Sequence, residues 1–160
     1  PDGTKVAVDG LSLTLYSGQI TALLGHNGAG KTTTIAMLTG FIPPTSGDAL
    51  IGPHSIVHDM ASVRRSIGVC PQHDVLFDSL TVLEQLVFFA STKGMRKPGV
   101  DEAAEAMIEE LGLTEKKHVY ASQLSGGMKR KLSVGIALIG GSRTVFLDEP
   151  TSGMVVTFCV

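Results

Sequence analysis

The chain has 160 residues, enough for one domain with a sizeable hydrophobic core. Its formal net charge of −2 and its isoelectric point near 6.2 give no sign of a basic surface for nucleic acid. No apolar run reaches the ~18 residues of a membrane span and no signal peptide opens the chain, so we expect any membrane role to come through a partner or through segments outside this sequence. Cys70 and Cys159 lie far apart without metal-ligand spacing, and a reducing compartment is expected.

Two short strands are predicted first, at residues 6–8 and 11–16, with Asp9 and Gly10 as the turn between them. In the second strand Leu11 and Leu13 alternate with polar residues, as in a half-buried strand. We therefore expect an antiparallel β subdomain at the N-terminus.

A glycine-rich loop carries the most specific motif of the chain. It follows a strand-length apolar run at residues 20–24 and precedes a helix that is predicted from Thr32 to Thr39. Its spacing, G-x-x-x-x-G-K-[S/T], is that of a phosphate-binding loop, and a chance match is expected about once in a hundred such chains. Lys31 is expected to reach the β- and γ-phosphates, and the Thr32 hydroxyl to help hold Mg²⁺. The predicted nucleotide-binding residues are Gly25, Asn27, Gly28, Ala29, Gly30, Lys31, Thr32 and Thr33.

A glutamine follows the next buried strand. A short strand at residues 48–51 and a brief helix at residues 59–65 lead to the apolar run at residues 66–70. Gln72 comes just past the C-terminal end of that run, where its side chain could reach Mg²⁺ or an attacking water. Alone, the pair of Pro71 and Gln72 equally fits a plain turn.

Two helices then follow without a strand between them. Thr81 and Glu84 form a capping box ahead of a helix that reaches about Ser91. A second helix is predicted over residues 101–111, with Gly112 as its stop. This order indicates a helical insert between the core strands, at about residues 78–140.

Ser125, Gly126 and Gly127 open a third helix. Ser125 is a helix N-cap and the glycines leave N–H groups accessible, so an anion could bind here, although such a sequence is by itself usually only a flexible helix start. The basic run at residues 129–131 is expected to be solvated.

Two acids end the last core strand, which is predicted over residues 144–147. Asp148 would hold Mg²⁺, and Glu149 could polarise a water as general base. Solvated acids at a strand end are the alternative, with a prior of roughly one in twenty beside a phosphate loop.

In this order the motifs resemble the nucleotide-binding domain of ABC (ATP-binding cassette) transporters. Residues 25–33 resemble the Walker A motif, Gln72 the Q-loop glutamine, residues 124–128 the signature motif, residues 145–149 the Walker B strand, and residues 151–153 the start of the D-loop. The forms of these motifs are most similar to the A subfamily of eukaryotic transporters, which are mostly lipid exporters. Residues 1–154 are therefore expected to be a partial nucleotide-binding domain, and residues 155–160 a tail outside the family pattern.

The resemblance implies a P-loop NTPase core of the α/β class that binds ATP and Mg²⁺. It also implies a second nucleotide-binding domain paired head to tail, transmembrane domains of the same transporter at the cytoplasmic face of a membrane, and a lipid as cargo, without nucleic acid. The implied roles are catalytic for Glu149 and Gln72, metal-binding for Thr32, Gln72 and Asp148, and binding of a second domain's ATP for Ser125, Gly126 and Gly127.

The sequence departs from the family at both ends. The adenine-stacking aromatic residue and the switch histidine of the family have no counterpart here. The tail at residues 155–160 has strand propensity, but a parallel neighbour needs a crossover of about a dozen residues, and only residues 148–154 precede it. We therefore expect a frayed tail, a missing last central strand and open edges on the Walker A and Walker B strands. The isolated chain is expected to be poorly soluble and inactive as an ATPase.

Two other functions stay open. The chain could be a soluble ABC-type ATPase not involved in transport, against which the short helical insert and the lack of a basic patch argue. It could also be a truncated, non-catalytic nucleotide-binding product, which its ending fits.

Overall fold

The computed structural model describes residues 6–149 and the backbone of residues 155–159. Within these residues the helices and strands follow one another as β1 (Ile20–Leu23), α1 (Lys31–Leu38), β2 (Leu50–Ile51), β3 (His54–Ser55), α2 (Met60–Ser66), β4 (Ile67–Cys70), α3 (Val82–Thr92), α4 (Gly99–Glu110), α5 (Gly126–Leu138), β5 (Thr144–Leu147) and β6 (Val155–Cys159). Short 3-10 turns at Thr114–Lys116 and Ala121–Gln123 connect α4 to α5. No helix in this part of the chain is both long and apolar enough to span a membrane.

The main sheet has four strands in the order β1-β6-β5-β4. Strands β4 and β5 are parallel, with Cys70 beside Leu147. Strand β6 is antiparallel to both of its neighbours, which makes β1 parallel to β5 across it. Leu23 and Leu147 lie beside Val155 and Val156 respectively, so the C-terminal ends of β1, β4 and β5 share one edge of the sheet. The phosphate-binding loop, the loop with Gln72 and the loop with Asp148 and Glu149 all leave the sheet at that edge.

Strand β6 corrects the prediction of a frayed tail and a missing central strand. It occupies the position between β1 and β5, so the edges predicted to be open are paired. The crossover limit holds only for a parallel neighbour, whereas an antiparallel strand can follow a short connection such as residues 148–154. The crossover argument therefore excluded only a parallel strand. Open strand edges are no longer a reason for the predicted poor solubility, which stays a prediction.

The N-terminal antiparallel β subdomain is also a wrong prediction for the described residues. No strand is present at residues 6–16, where Leu11 and Leu13 are exposed. The small antiparallel sheet is instead the β2–β3 hairpin. A two-stranded hairpin is marginal in water without a third strand or a surface to pack on, so alternation alone did not suffice. Strand β1 forms within the apolar run at residues 20–24, but it is exposed on one face, with Ile20 at 66%.

The helices agree with the sequence analysis to within about two residues. Thr81 caps α3 in the predicted capping box: its Oγ1 accepts from Glu84 N at 3.3 Å, and Glu84 Oε2 accepts from Thr81 N at 2.8 Å. Helix α4 ends at the predicted stop, because Gly112 adopts a left-handed conformation with φ of 64°.

Besides a small apolar cluster around Val145, between α5 and the sheet, two larger apolar clusters support the site. One joins α3, α4 and α5, within the residues predicted as a helical insert, and contains Val82, Leu86, Ala104, Ile108 and Leu132. The other packs α1 and α2 against the sheet and contains Ile35, Val63, Ile67 and Phe146. Burial of each valine, leucine, isoleucine or phenylalanine side chain in them contributes about 1.5–3 kcal/mol. The proposed boundaries of the insert at about residues 78–140 stay a prediction.

Candidate active site

The loop between β1 and α1 has the backbone that phosphate binding requires. Gly28 and Gly30 have φ of 84° and 86°, which side chains with a Cβ rarely adopt. A Cβ on Gly30 would also lie 2.4 Å from Ala7 O, so a glycine is needed there for space as well. Gly30 is the N-cap of α1 and no side chain caps the helix, which leaves the N–H groups of its first turn available to an anion.

Lys31 lies folded over this loop. Its Nζ donates to Gly25 O at 2.7 Å and to His26 O at 3.1 Å. Ala29 and Lys31 line an open cleft of about 220 Å³ beside the loop. Thr32 is exposed and Thr33 is half-buried in the first turn of α1. The ammonium and the helix N-terminus therefore sit on the same loop, as phosphate binding needs.

The loops after β4 and β5 bring Gln72 and Glu149 together. Asp148 N donates to Cys70 O at 2.9 Å, which extends the pairing of the two strands by one residue. Gln72 follows Cys70 by two residues, in the loop after β4, and its Nε2 donates to Glu149 Oε2 at 2.9 Å. The two residues predicted to be catalytic, the amide of Gln72 and the carboxylate of Glu149, are therefore in direct contact.

The environment of the Asp148 carboxylate is suited to binding a cation. Its side chain is buried, with 5% of the residue exposed, and its Oδ1 has no hydrogen-bond partner among the described residues. A buried carboxylate oxygen without a partner is costly, and carboxylates are preferred ligands of Mg²⁺. The prediction that Asp148 binds Mg²⁺ is compatible with this environment.

Glu149 has an unusual backbone conformation. Its φ is 49°, in the left-handed region, which costs a residue other than glycine roughly 1–2 kcal/mol. Such strain is kept only where the surroundings hold the residue in place. Here a guanidinium does so: Arg130 Nη2 donates to Asp148 O and to Glu149 O, both at 2.9 Å.

Arg130 corrects the expectation that the basic run at residues 129–131 is solvated. Only 18% of its side chain is exposed, and its Nη1 donates to Pro71 O at 2.7 Å and to Asp74 Oδ1 at 3.2 Å. Arg130 lies three and seven residues before Ser133 and Ala137, which are buried, so the three share one face of α5; the sequence alone does not show that this polar and small-residue face is buried. That face of α5 packs against β4 and β5.

Ser125, Gly126 and Gly127 lie apart from these contacts. Ser125 Oγ caps α5 by accepting from Met128 N at 3.3 Å, and no atom lies within 4 Å of a Cβ built on either glycine. In the described part of the chain, no hydrogen bond joins them to the phosphate loop, Gln72 or Glu149. All three residues are exposed, so this helix N-terminus is accessible from solvent.

A family comparison covers all of these loops. It matches residues 8–152 to the ABC transporter family. The chain belongs to the ABC transporter family. The matched residues include the phosphate loop, residues 124–128 and the acids after β5, which are predicted to be the Walker A, signature and Walker B motifs of the family. The D-loop residues 151–153 lie outside the described residues.

Curated relatives include several ABCA transporters. The chain is 57% identical over 150 residues to phospholipid-transporting ATPase ABCA3 of Rattus norvegicus, covering 94% of this chain and 9% of that protein. It is 53% identical over 153 residues to ATP-binding cassette sub-family A member 2 of Homo sapiens, with 96% and 6% covered. It is 53% identical over 150 residues to retinal-specific phospholipid-transporting ATPase ABCA4 of Homo sapiens, with 94% and 7% covered. The chain spans less than a tenth of these relatives, and the resemblance to the A subfamily is confirmed.

A solved structure supports the same fold. The ATP-binding subunit of an ABC transporter matches with a TM-score of 0.73 at 28% identity, covering 81% of this chain and 54% of that chain. The prediction of an ABC ATPase core of the α/β class is confirmed.

Proposed function

We propose that this chain is the ATP-binding and ATP-hydrolysing domain that powers a membrane ABC transporter, with phospholipid as the exported cargo. One observation carries the catalytic part: Gln72 and Glu149 contact each other beside the buried Asp148, at the sheet edge where β1 also ends. The relatives named phospholipid-transporting ATPases support the cargo.

The residues divide the work on ATP between two groups. Lys31 and the N-terminus of α1 bind the phosphates by charge and by backbone N–H groups, with Gly25, Asn27, Gly28, Ala29 and Thr33 shaping the loop. Thr32, Gln72 and Asp148 would hold Mg²⁺, which neutralises phosphate charge when it is bound. Glu149 takes a proton from the attacking water, and Gln72 orients the carboxylate through its hydrogen bond.

A second nucleotide-binding domain completes this site in our proposal. Ser125, Gly126 and Gly127 present an open helix N-terminus that is not joined to the Walker A loop of the same chain. In a head-to-tail pair this N-terminus would meet the γ-phosphate bound by the other domain. Transmembrane domains of the same transporter, at the cytoplasmic face, would use the closing and opening of that pair. A single chain is then expected to hydrolyse little ATP.

The test uses the full-length transporter in phospholipid vesicles. Glu149→Gln keeps the side-chain shape but removes the base, so ATP turnover should fall by about a hundredfold or more while ATP stays bound. Phospholipid movement should stop with it. Glu109→Gln, on an exposed position of α4, is the matched control and should leave both unchanged. Wild-type turnover in Glu149→Gln would overturn the catalytic assignment, and turnover without phospholipid movement in the wild type would overturn the cargo.

A further inference from the structure

Arg130 links the loops that carry the two candidate catalytic residues. We propose that Arg130 is a positioning residue that sets Gln72 and Glu149 at their contact distance, an inference that rests on the ATPase function proposed above. The residue touches neither water nor phosphate in this assignment. It acts through the backbones of the loops that follow β4 and β5.

Arg130 donates hydrogen bonds to both of these loops. Nη1 donates to Pro71 O at 2.7 Å and approaches Gln72 O at 3.4 Å, on the side of β4. Nη2 donates to the carbonyl oxygens of Asp148 and Glu149, both at 2.9 Å, on the side of β5. One rigid, planar group therefore spans the gap between the loops and fixes their separation.

The carbonyls that Arg130 binds belong to the strained part of the chain. Glu149 has φ of 49°, and a left-handed residue other than glycine persists only when its neighbours restrain it. Two hydrogen bonds from a single nitrogen to consecutive carbonyls supply that restraint. The Gln72–Glu149 hydrogen bond of 2.9 Å then depends on the backbones of two loops, after β4 and after β5, that Arg130 holds in place.

Asp74 orients the guanidinium. Its Oδ1 accepts from Nη1 at 3.2 Å, and the two side chains are 26% and 18% exposed. Charge-assisted bonds in such a half-buried pair are stronger than those of a solvated pair. A lysine at position 130 would keep the charge but could not form the fork, because an ammonium is a compact point charge on a flexible stem.

The experiment separates positioning from charge and from folding in the full-length transporter. Arg130→Lys should lower kcat for ATP by about tenfold to a hundredfold, because a small displacement of catalytic groups has that effect. KM for ATP should stay within about threefold of the wild-type value, since the Walker A loop is untouched. Lys131→Gln, which removes a charge from the next, exposed position of α5, is the control and should change neither constant. An unchanged kcat in Arg130→Lys would overturn the proposal.

Asp74→Asn covers the case in which Arg130→Lys fails to fold. It leaves the arginine in place and should lower kcat with KM kept. Where Arg130→Lys does fold, the double variant should be no slower than Arg130→Lys alone, because the two residues act as one unit. Unchanged kcat in Asp74→Asn would then count against Arg130 as a positioning residue. If the Glu149→Gln variant hydrolysed ATP at the wild-type rate, the proposed function itself would be refuted. The two failures can therefore be told apart.

Discussion

Gln72 and Glu149, which are 77 positions apart in the sequence, are joined by a hydrogen bond of 2.9 Å from Nε2 to Oε2. The bond ties up one carboxylate oxygen of Glu149 and leaves the other for a water. It exists because Ile67–Cys70 and Thr144–Leu147 are parallel neighbours, so the loops that follow them leave the sheet side by side.

This contact predicts the effect of Gln72→Ala. Without the amide, the carboxylate of Glu149 loses its orientation, and kcat for ATP should fall by about tenfold or more. KM for ATP should change by a smaller factor than kcat, because the Walker A loop keeps its contacts while the proposed Mg²⁺ site loses one of its ligands. Steady-state ATPase assays of the full-length transporter measure kcat and KM, with the exposed Gln19→Ala as control. A full wild-type kcat in Gln72→Ala would show that this hydrogen bond has no role in turnover.

The antiparallel strand β6 can be tested by its backbone alone. Position 157 lies opposite Thr21 of β1 and Phe146 of β5. Proline there removes an N–H from a central strand, so Thr157→Pro should open the sheet, whereas Thr157→Ser should not. Hydrogen exchange would report faster exchange of the amides of β1 and β5 in the proline variant. Equal protection in both variants would mean that residues 155–159 are not paired in solution.

Lys93 predicts a pH dependence of stability. Burial lowers the pKa of this side chain from 10.5 to about 8, although its Nζ donates to Ala137 O and Ile139 O at the end of α5. Because the folded pKa is the lower one, the unfolded chain binds more protons between about pH 8 and pH 10.5. The contribution of Lys93 to the free energy of unfolding is therefore lowest below that window and rises with pH across it.

We expect Lys93→Met to lose this rise. Urea unfolding of the purified chain at several pH values measures it, and the difference between wild type and variant cancels the other titrating groups. The advantage of the wild type should grow from about pH 8 upward. The exposed Lys97→Met serves as control and should give parallel curves. Parallel curves for Lys93→Met as well would contradict the lowered pKa.

The sequence was most informative where local chemistry decides the structure. The glycines of the Walker A loop, the capping box of Thr81 and Glu84, and the short apolar run before Asp148 each depend on near neighbours, and all three predictions agree with the structure. The strand prediction at residues 11–16 failed because alternation says nothing about whether a partner strand is present.

The sequence did not predict the long-range contacts of Arg130 and Lys93. Arg130 meets Pro71 across 59 positions and Glu149 across 19, and Lys93 meets Ile139 across 46. Arg130 belongs to a basic run that is predicted to be solvated, and nothing in the sequence around Lys93 predicts its burial. Only the packing of α5 against the sheet and α3 makes them buried, and single-sequence periodicity does not fix which helices meet.

The central claim is that the loop between β1 and α1 binds the phosphates of ATP. Titration of the full-length transporter with ATP and Mg²⁺ tests it most directly, with Lys31→Ala against the exposed control Lys116→Ala. Lys31 brings the fixed positive charge to this loop, where its Nζ lies 2.7 Å from Gly25 O. We predict that Lys31→Ala weakens ATP binding by about tenfold or more, as loss of a charge-assisted contact should, and that Lys116→Ala leaves it unchanged. Equal ATP affinity in wild type and Lys31→Ala would contradict the account.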